Sequence, residues 1–370
     1  MPILTDQDID DLAVGAALLG TGGGGDPYIG KLMAKAAIAE FGPVELIPLE
    51  TVADDAVVLA CGAMGAPTIL IEKIPSGEEM ATALAFYEAN LDVKTTAVIP
   101  FEAGGINSMV PIALAARHRL PVIDADGMGR AFPQLEMETF NVYGVPAGPV
   151  ALADERGNKV LIETASAAKA EWYARGITIR MGGQASIANY GMDGITVKYV
   201  SVPATMTLAI GIGRTLREAQ ASHSDPIAAL IAFFAKTHYR HAGVIASGKV
   251  TDVARREENG WSVGVVTIEP FDSSKPKVKI RIQNENLVAE EEDGAVLAIV
   301  PDLITVLDLD TAEAITTERL RYGQRVNVLA VRVPPIMRTR EALAVFGPRA
   351  FGLKHEYQPF GLDCGLAAVK

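Results

Sequence analysis

Apolar residues at helical spacing open the chain. Ile9, Leu12, Ala13, Ala16 and Leu19 fall on one stripe, with Thr5 placed to cap it, which predicts a helix over 5–19. Gly20 ends that stripe, and TGGGGDP follows at Thr21 to Pro27. Asp26 before Pro27 reads as a cap and first turn, so a second helix is expected over 28–41. From there short β-type runs alternate with helical ones. Val44 to Leu49, Ala56 to Ala60, Thr95 to Pro100 and the apolar residues from Leu120 to Ile123 read as strands. A helix over 76–90, opened by a Ser76–Glu79 capping box, and another over 109–118 separate them. This alternation predicts a mainly parallel sheet with helices packed on it.

The texture changes after Pro146. Val150 to Ala165 reads as a hairpin turning at Glu155 to Asn158, followed by a helix over 166–174 and an apolar run over 177–181. Helices are expected over 206–219 and, after the Asp225-Pro226 cap, over 227–239. The remainder is strand-rich. Gly248 to Arg255 and Trp261 to Pro270 flank an Asn259-Gly260 turn, and Val278 to Ile282, Val296 to Val300 and Val326 to Val333 continue the pattern. The fold class expected is α/β: an N-terminal α/β domain over 1–165 and a β-rich C-terminal domain over 166–370.

Length agrees with two domains, since single cores stop growing near ~250–300 residues, and the chain has 370. The net charge of −12 argues against a nucleic-acid surface or an anionic membrane as partner. No window reaches the ~18 apolar residues of a spanning helix. The acidic start MPILTDQDIDD does not resemble a signal peptide. Cys61 and Cys364 are too few for a disulfide framework, so a reducing, cytoplasmic setting is expected.

The chemistry is concentrated where apolar strands run into glycine and charge. In LPVIDADGMGRAFPQLE the strand leads into Asp124, Asp126 and Arg130, with Gly127 and Gly129 between them. Ligands of open α/β sheets sit outside the carboxyl ends of strands. Glu102 and Asn107 lie in FEAGGINS, just past another strand, and Cys61 to Pro67 forms a third loop of this kind. All three are expected to converge on one sheet edge. Glu102, Asp124, Asp126 and Arg130 are the candidate catalytic groups, with Asp126→Asn expected to lower turnover about 100-fold while leaving the fold intact. Gly22, Gly23, Gly24 and Gly25 offer backbone N–H groups to a substrate, and Asn107, Asn284, Glu285 and Asn286 are the other candidate binding residues. The polar run QNENL at 283–287 reads equally as a ligand site or a bulge. His223 with Asp225 is too small and local a pair to define a zinc site.

TGGGGDP, GAMGAPT at 62–68, EAGGINS at 102–108, DADGMGRAFP at 124–133, QNENL, PDLI at 301–304 and GPRAFG at 347–352 occur in this order along nearly the whole chain. On these motifs the chain resembles the S-methyl thiohydantoin desulfurase-like family, which is associated with hydantoinase- and oxoprolinase-type enzymes. The resemblance implies hydrolysis of a C–S bond on a five-membered cyclic amide-like ring, with zinc as a candidate metal and no ligand set assigned. It implies a small-molecule substrate, and a homo-oligomer or a hydantoinase-type enzyme as partner. The alternative is a non-catalytic subunit or scaffold of such an enzyme. A third reading, an enzyme for another cyclic amide or a nucleotide-like ligand, uses the same loops.

Overall fold

The computed structural model describes residues 2–361, apart from 66–68, 70–72, 74, 259 and 260. The Asn259-Gly260 turn, the end of the GAMGAPT motif and Cys364 therefore lie outside the described residues.

Local chemistry sets the first two helices where the sequence places them. The Thr5 hydroxyl accepts from the Asp8 N–H at 3.1 Å and the Asp8 carboxylate accepts from the Thr5 N–H at 3.0 Å, a reciprocal cap on the helix Asp6–Leu19. Asp26 accepts from the Tyr28 N–H at 2.9 Å and starts the helix Pro27–Phe41.

The N-terminal unit is α/β with a mixed, mostly parallel sheet. Strands β1 (Leu46–Pro48), β2 (Val57–Gly65), β3 (Ala97–Pro100) and β4 (Val122–Asp126) pair in parallel in the order β1-β4-β3-β2. β5 (Val150–Ala153), β6 (Lys159–Ile162) and β7 (Gln184–Asp193) extend it antiparallel beyond β2, as β7-β5-β6. β8 (Val202–Pro203) pairs with the end of β4. The second sheet is antiparallel throughout, in the order β13-β12-β11-β10-β9-β15-β14. Its strands are β9 (Ala242–Glu258), β10 (Trp261–Pro270), β11 (Val278–Gln283), β12 (Glu285–Glu291), β13 (Val296–Ile299), β14 (Leu303–Asp308) and β15 (Arg325–Val331). No helix among the described residues is long and apolar enough to cross a membrane.

Several element boundaries differ from the sequence reading, each for a tertiary reason. Cys61 to Gly65 is strand and not loop, because β7 pairs with it residue by residue from Cys61↔Ala188 to Gly65↔Gln184. β7 has no clean alternation to reveal it, being broken by Asn189, Tyr190 and Gly191. Strand β4 runs on through Asp124 to Asp126, held by β8. Ser76 does not cap the helix Glu79–Leu91. Its N–H donates to Glu79 and its hydroxyl accepts from Glu78, which orders the turn before the helix. The helix Ala167–Arg180 absorbs the apolar run at 177–180, while the helix Pro226–Phe234 stops short of Tyr239.

Helix Asp6–Leu19 lies in the core against the helix Thr205–Ala221. Their backbones meet at two glycines: a Cβ on Gly15 would fall 1.9 Å from the Ala209 carbonyl oxygen, and one on Gly213 would fall 2.0 Å from that of Asp11. At the rim, Arg217 makes a paired contact with the Asp11 carboxylate at 2.9 and 2.8 Å. The same first helix reaches the second sheet, where the Thr305 hydroxyl donates to the Leu18 carbonyl at 2.9 Å. Backbone pairing then carries the contact on, with Asn286 N–H donating to Thr21 O and Thr317 N–H to Gly22 O, both at 2.8 Å. Because the crossing has no room for a methyl group, Gly15→Ala is expected to cost about 1–3 kcal/mol or more by forcing the helices apart. Urea denaturation measures this, and an unchanged midpoint would show that the crossing is not close-packed.

Candidate functional site

The glycine loop after the first helix is a site of close backbone approach. Gly22, Gly24 and Gly25 all have positive φ, which suits residues without a Cβ. Gly24 lies against the second glycine loop, where its carbonyl accepts from the Ile106 N–H at 2.9 Å. A Cβ on Gly105 would fall 1.9 Å from that carbonyl oxygen. A Cβ on Gly23 would fall 2.1 Å from a carboxylate oxygen of Glu285. The loop is thus the floor on which Glu102, Asn107 and Glu285 are brought together.

Glu102 follows β3 and is buried. One carboxylate oxygen accepts from the Asn107 amide at 2.8 Å and the other has no hydrogen-bond partner. Asn107 is clamped in turn, accepting from Ala63 N–H at 2.7 Å and donating to Ala63 O at 3.2 Å. Burial raises the pKa of Glu102 well above the usual carboxylate range, and the charges of Glu285 and Asp126 push the same way. Glu285 is also buried with one oxygen unpartnered. Burial lifts its pKa to about 8 against the opposing charge of Arg130.

The remaining catalytic candidates are occupied elsewhere. The Asp124 carboxylate faces the helix Thr205–Ala221 and accepts from the Thr207 N–H at 2.9 Å. Asp126 is fully buried and accepts from Ala103 N–H at 2.6 Å and from Gly129 N–H at 2.9 and 3.0 Å. Burial brings its pKa to about 7. Arg130 is fully buried as well, with contacts that account for its full set of donors. Nε bonds Ala131 O at 3.0 Å, and Nη1 bonds Pro301 O and Asp302 O at 3.2 and 2.8 Å. Nη2 bonds the Thr21 hydroxyl and Asn286 O at 2.7 and 3.2 Å. No donor is left to hold a substrate, so Arg130, a catalytic candidate from sequence, is a joint between the two sheets.

QNENL carries the irregularity its composition allowed. Asn284 turns the β11–β12 hairpin at φ +58°, and the pairing slips register just before it, between Arg281 and Ile282. The turn brings Glu285 against Gly23 of the glycine loop, while the Asn284 side chain accepts from the Ser262 N–H at 3.0 Å. Asn286 packs its side chain against Gly22 and donates to Ile304 O at 2.8 Å.

These segments enclose a cavity of about 110 Å³. Gly23, Gly24, Gly25, Glu102, Asn107, Asn284 and Glu285 line it, together with Ala63 to Gly65 from the end of β2 and Met128 from the loop after β4. Gly22, Asp124, Asp126, Arg130 and Asn286 are not among its lining residues. A smaller cavity of about 50 Å³ adjoins it through Ala63, Ile106 and Gln184, and carries a Lys73–Glu155 ion pair at 2.6 Å.

The sequence reading missed three groups on this wall. Glu171 and Arg175 come from the helix Ala167–Arg180, and Glu318 from the turn after β14. Glu171 and Arg175 pair with each other at i, i+4, and Arg175 also lies over the Trp261 ring at 4.3 Å. Their spacing was visible, but it reads as an ordinary surface pair. Behind the wall stands Glu138, fully buried, with both carboxylate oxygens unpartnered. Burial and the charges of Glu102 and Asp126 raise its pKa well above the usual range. Nothing in the local sequence marks it.

Zinc does not fit this donor set. The cavity wall holds no histidine or cysteine, and zinc sites draw largely on those side chains. Among the described residues no group of three or more His, Cys, Asp or Glu is arranged to hold a metal ion. His223 is exposed and Asp225 serves as a helix cap, accepting from Ile227 and Ala228 N–H at 2.9 and 3.2 Å. Cys61 is buried, and burial raises its thiol pKa, which removes it as a reactive thiolate.

Two tests follow from these environments. Asp126→Asn replaces an acceptor of three backbone N–H contacts with an amide, so its first effect is lost stability, in place of the activity loss with intact fold expected from sequence. Thermal unfolding of the variant checks this, and a wild-type melting temperature would reject the structural role. The raised carboxyls set the pH dependence. The native state keeps protons on Asp126 and Glu285 up to about 7 and 8, whereas the unfolded chain releases them near ~4. Their stabilising contribution is complete at the acidic end and is lost as pH rises through about 8. The urea midpoint is expected to fall between pH 5.5 and 8.5, less steeply in Glu285→Gln; a midpoint that climbs would overturn the assignment.

A crystal structure of a protein from Chromobacterium violaceum matches with a TM-score of 0.80 and 24% identity, covering 97% of this chain and 100% of that one. At that identity the likeness speaks for the fold alone. No curated protein matches the chain at a significant level. The family model described as "S-Me-THD-like, N-terminal domain" matches residues 7–164, and "S-Me-THD-like, C-terminal domain" matches 165–360. The chain belongs to the S-Me-THD-like family.

Proposed function

We propose that the cavity is a hydrolytic site for a small five-membered cyclic amide-like ring, with C–S cleavage of an S-methyl thiohydantoin as the reaction. One observation carries this reading: Glu102 and Glu285, from separate sheets, line one cavity and each keeps a carboxylate oxygen without a partner. Asp126 and Asp302, by contrast, are held by several hydrogen bonds each. Glu102 and Glu285 are only half satisfied, each with one buried oxygen that no protein group bonds, which favours a ligand-directed role for them on this wall. The family description points to the substrate class.

The chemistry needs water activation and protonation of the leaving side. Water adds to the ring carbon bearing sulfur, the C–S bond breaks with its electron pair on sulfur, and the ring keeps a C=O. Methanethiol leaves with one proton, so substrate plus water gives the hydantoin plus thiol. Glu285, titrating near 8, takes the proton from water once ionised. Glu102, held protonated by burial, supplies one to the ring nitrogen or departing sulfur. Asn107 holds Glu102 in place through its 2.8 Å bond. Backbone groups of Gly23 to Gly25 face the ring.

A second reading, docking to a hydantoinase-type partner, is supported by the helix Ala167–Arg180. Its Trp172 and Ile179 are 65% and 64% exposed on the same helix that lines the cavity. The two readings are compatible.

Purified protein is expected to release methanethiol from S-methyl thiohydantoins, with kcat/KM rising with pH toward a plateau above about 8. Glu102→Gln and Glu285→Gln should each lower turnover about 100-fold or more, and the rising limb should vanish in Glu285→Gln. No thiol release from a folded preparation, or full activity in folded Glu102→Gln, would sink the proposal.

A further inference from the structure

A group of cations lies away from the cavity, where the approach to β9 meets the end of β15. Arg240 and His241 precede β9, Arg332 directly follows β15, and Arg338 closes the next short turn. The Arg332 N–H donates to the His241 carbonyl at 2.9 Å, which fixes the two segments side by side. Arg332 is only 9% exposed. Its Nη1 and the Nε of Arg338 are enclosed yet donate to nothing. Among the described residues, no ion pair involves Arg240, Arg332 or Arg338.

The carboxylate that opposes these charges is already committed. Asp302 accepts from the Val333 N–H at 3.0 Å, the Tyr357 hydroxyl at 2.8 Å and the Phe360 N–H at 2.7 Å. Burial and the Arg338 charge hold the Arg332 guanidinium below its ordinary pKa, and His241 is depressed by burial and by all three arginines. In a chain of net charge −12, the charges of Arg338 and Arg240 thus bear on Arg332, and Asp302, the carboxylate that opposes them there, is already bonded three times. Buried donors without acceptors and like charges in proximity both oppose folding unless something balances them. The planar guanidinium fork matches the oxygen edges of phosphate, and exposed Arg240 and His241 leave the cluster open to solvent.

We propose that Arg332, Arg338 and Arg240, with His241 at the rim, form a binding site for a phosphate-type dianion, separate from the carboxylate cavity. The ligand is either free phosphate or the phosphate group of a small monoester. Calorimetric titration of the full chain with inorganic phosphate and with glycerol phosphate, against chloride at matched ionic strength, tests this. One saturable site per chain is expected. Arg332→Gln and Arg338→Gln should each weaken it about 10-fold or more, and Arg332→Lys should not restore it. Tighter binding of the monoester assigns the group to a larger molecule, and tighter binding of the inorganic ion assigns it to free phosphate; both support the site. Arg240→Gln, at an exposed position, keeps the test open if the buried variants fail to fold, and should weaken binding measurably. No saturable binding, or binding unchanged in every folded variant, overturns the proposal.

Discussion

The buried guanidinium of Arg130 is the constraint around which this protein is assembled. A fully buried arginine is tolerated only if its donors are met. Here they are met by groups from three places: the Thr21 hydroxyl at the glycine loop, the carbonyl of its own neighbour Ala131, and the carbonyls of Asn286, Pro301 and Asp302 on the second sheet. Nearby carboxyls, Glu285 and Asp302 foremost, offset the charge against a burial that lowers its pKa to about 10. The loop after β4 is thereby fixed to both the first helix's end and the second sheet. Lysine, with three donors on a flexible stem, cannot reproduce that set.

What this joint permits is close backbone contact at the cavity. Gly23 sits where a side chain would collide with Glu285, and Gly24 and Gly105 touch main chain to main chain. The glycine run is therefore as much a spacing device as a ligand cradle. Only with side chains absent can the β11–β12 turn and the Glu102 loop approach closely enough to share one small volume. The adjacent pairing of Thr21 with Asn286 and Gly22 with Thr317 keeps that approach in register.

Much of this was legible from sequence, and the failures have a common cause. Caps and glycines act locally, so the first two helices, the β5–β6 hairpin and the strand-rich second half could be read from short-range chemistry. Partner-dependent features could not. Cys61 to Gly65 becomes strand only because β7 lies beside it, and β7 has too irregular a pattern to announce itself. The site shows the same division. Glu102, Asn107, Asn284 and Glu285 were visible because glycine or asparagine turns flank them. Glu171, Arg175 and Glu318 are supplied by a helix and a turn distant in sequence, and Glu138 is isolated by tertiary burial alone.

The stretch that looked most catalytic, Asp124 to Arg130, proved the most fully bonded. Charge beside glycine at a strand end is the common signature of both an active loop and a structural knot, since each needs polar groups inside a fold. What separates them is whether the buried atoms have acceptors and donors of their own. Asp126 has backbone N–H groups on its carboxylate and Arg130 has oxygen on every side, so removing either leaves the protein's own groups unsatisfied. Glu102 and Glu285 keep oxygens that nothing in the described chain satisfies. Such atoms oppose folding, and the fold holds them because Arg130 and the glycine contacts over-determine the geometry around them. Stability is thus concentrated in the residues that first suggested chemistry, and the unsatisfied carboxyls stand one layer away on the cavity wall.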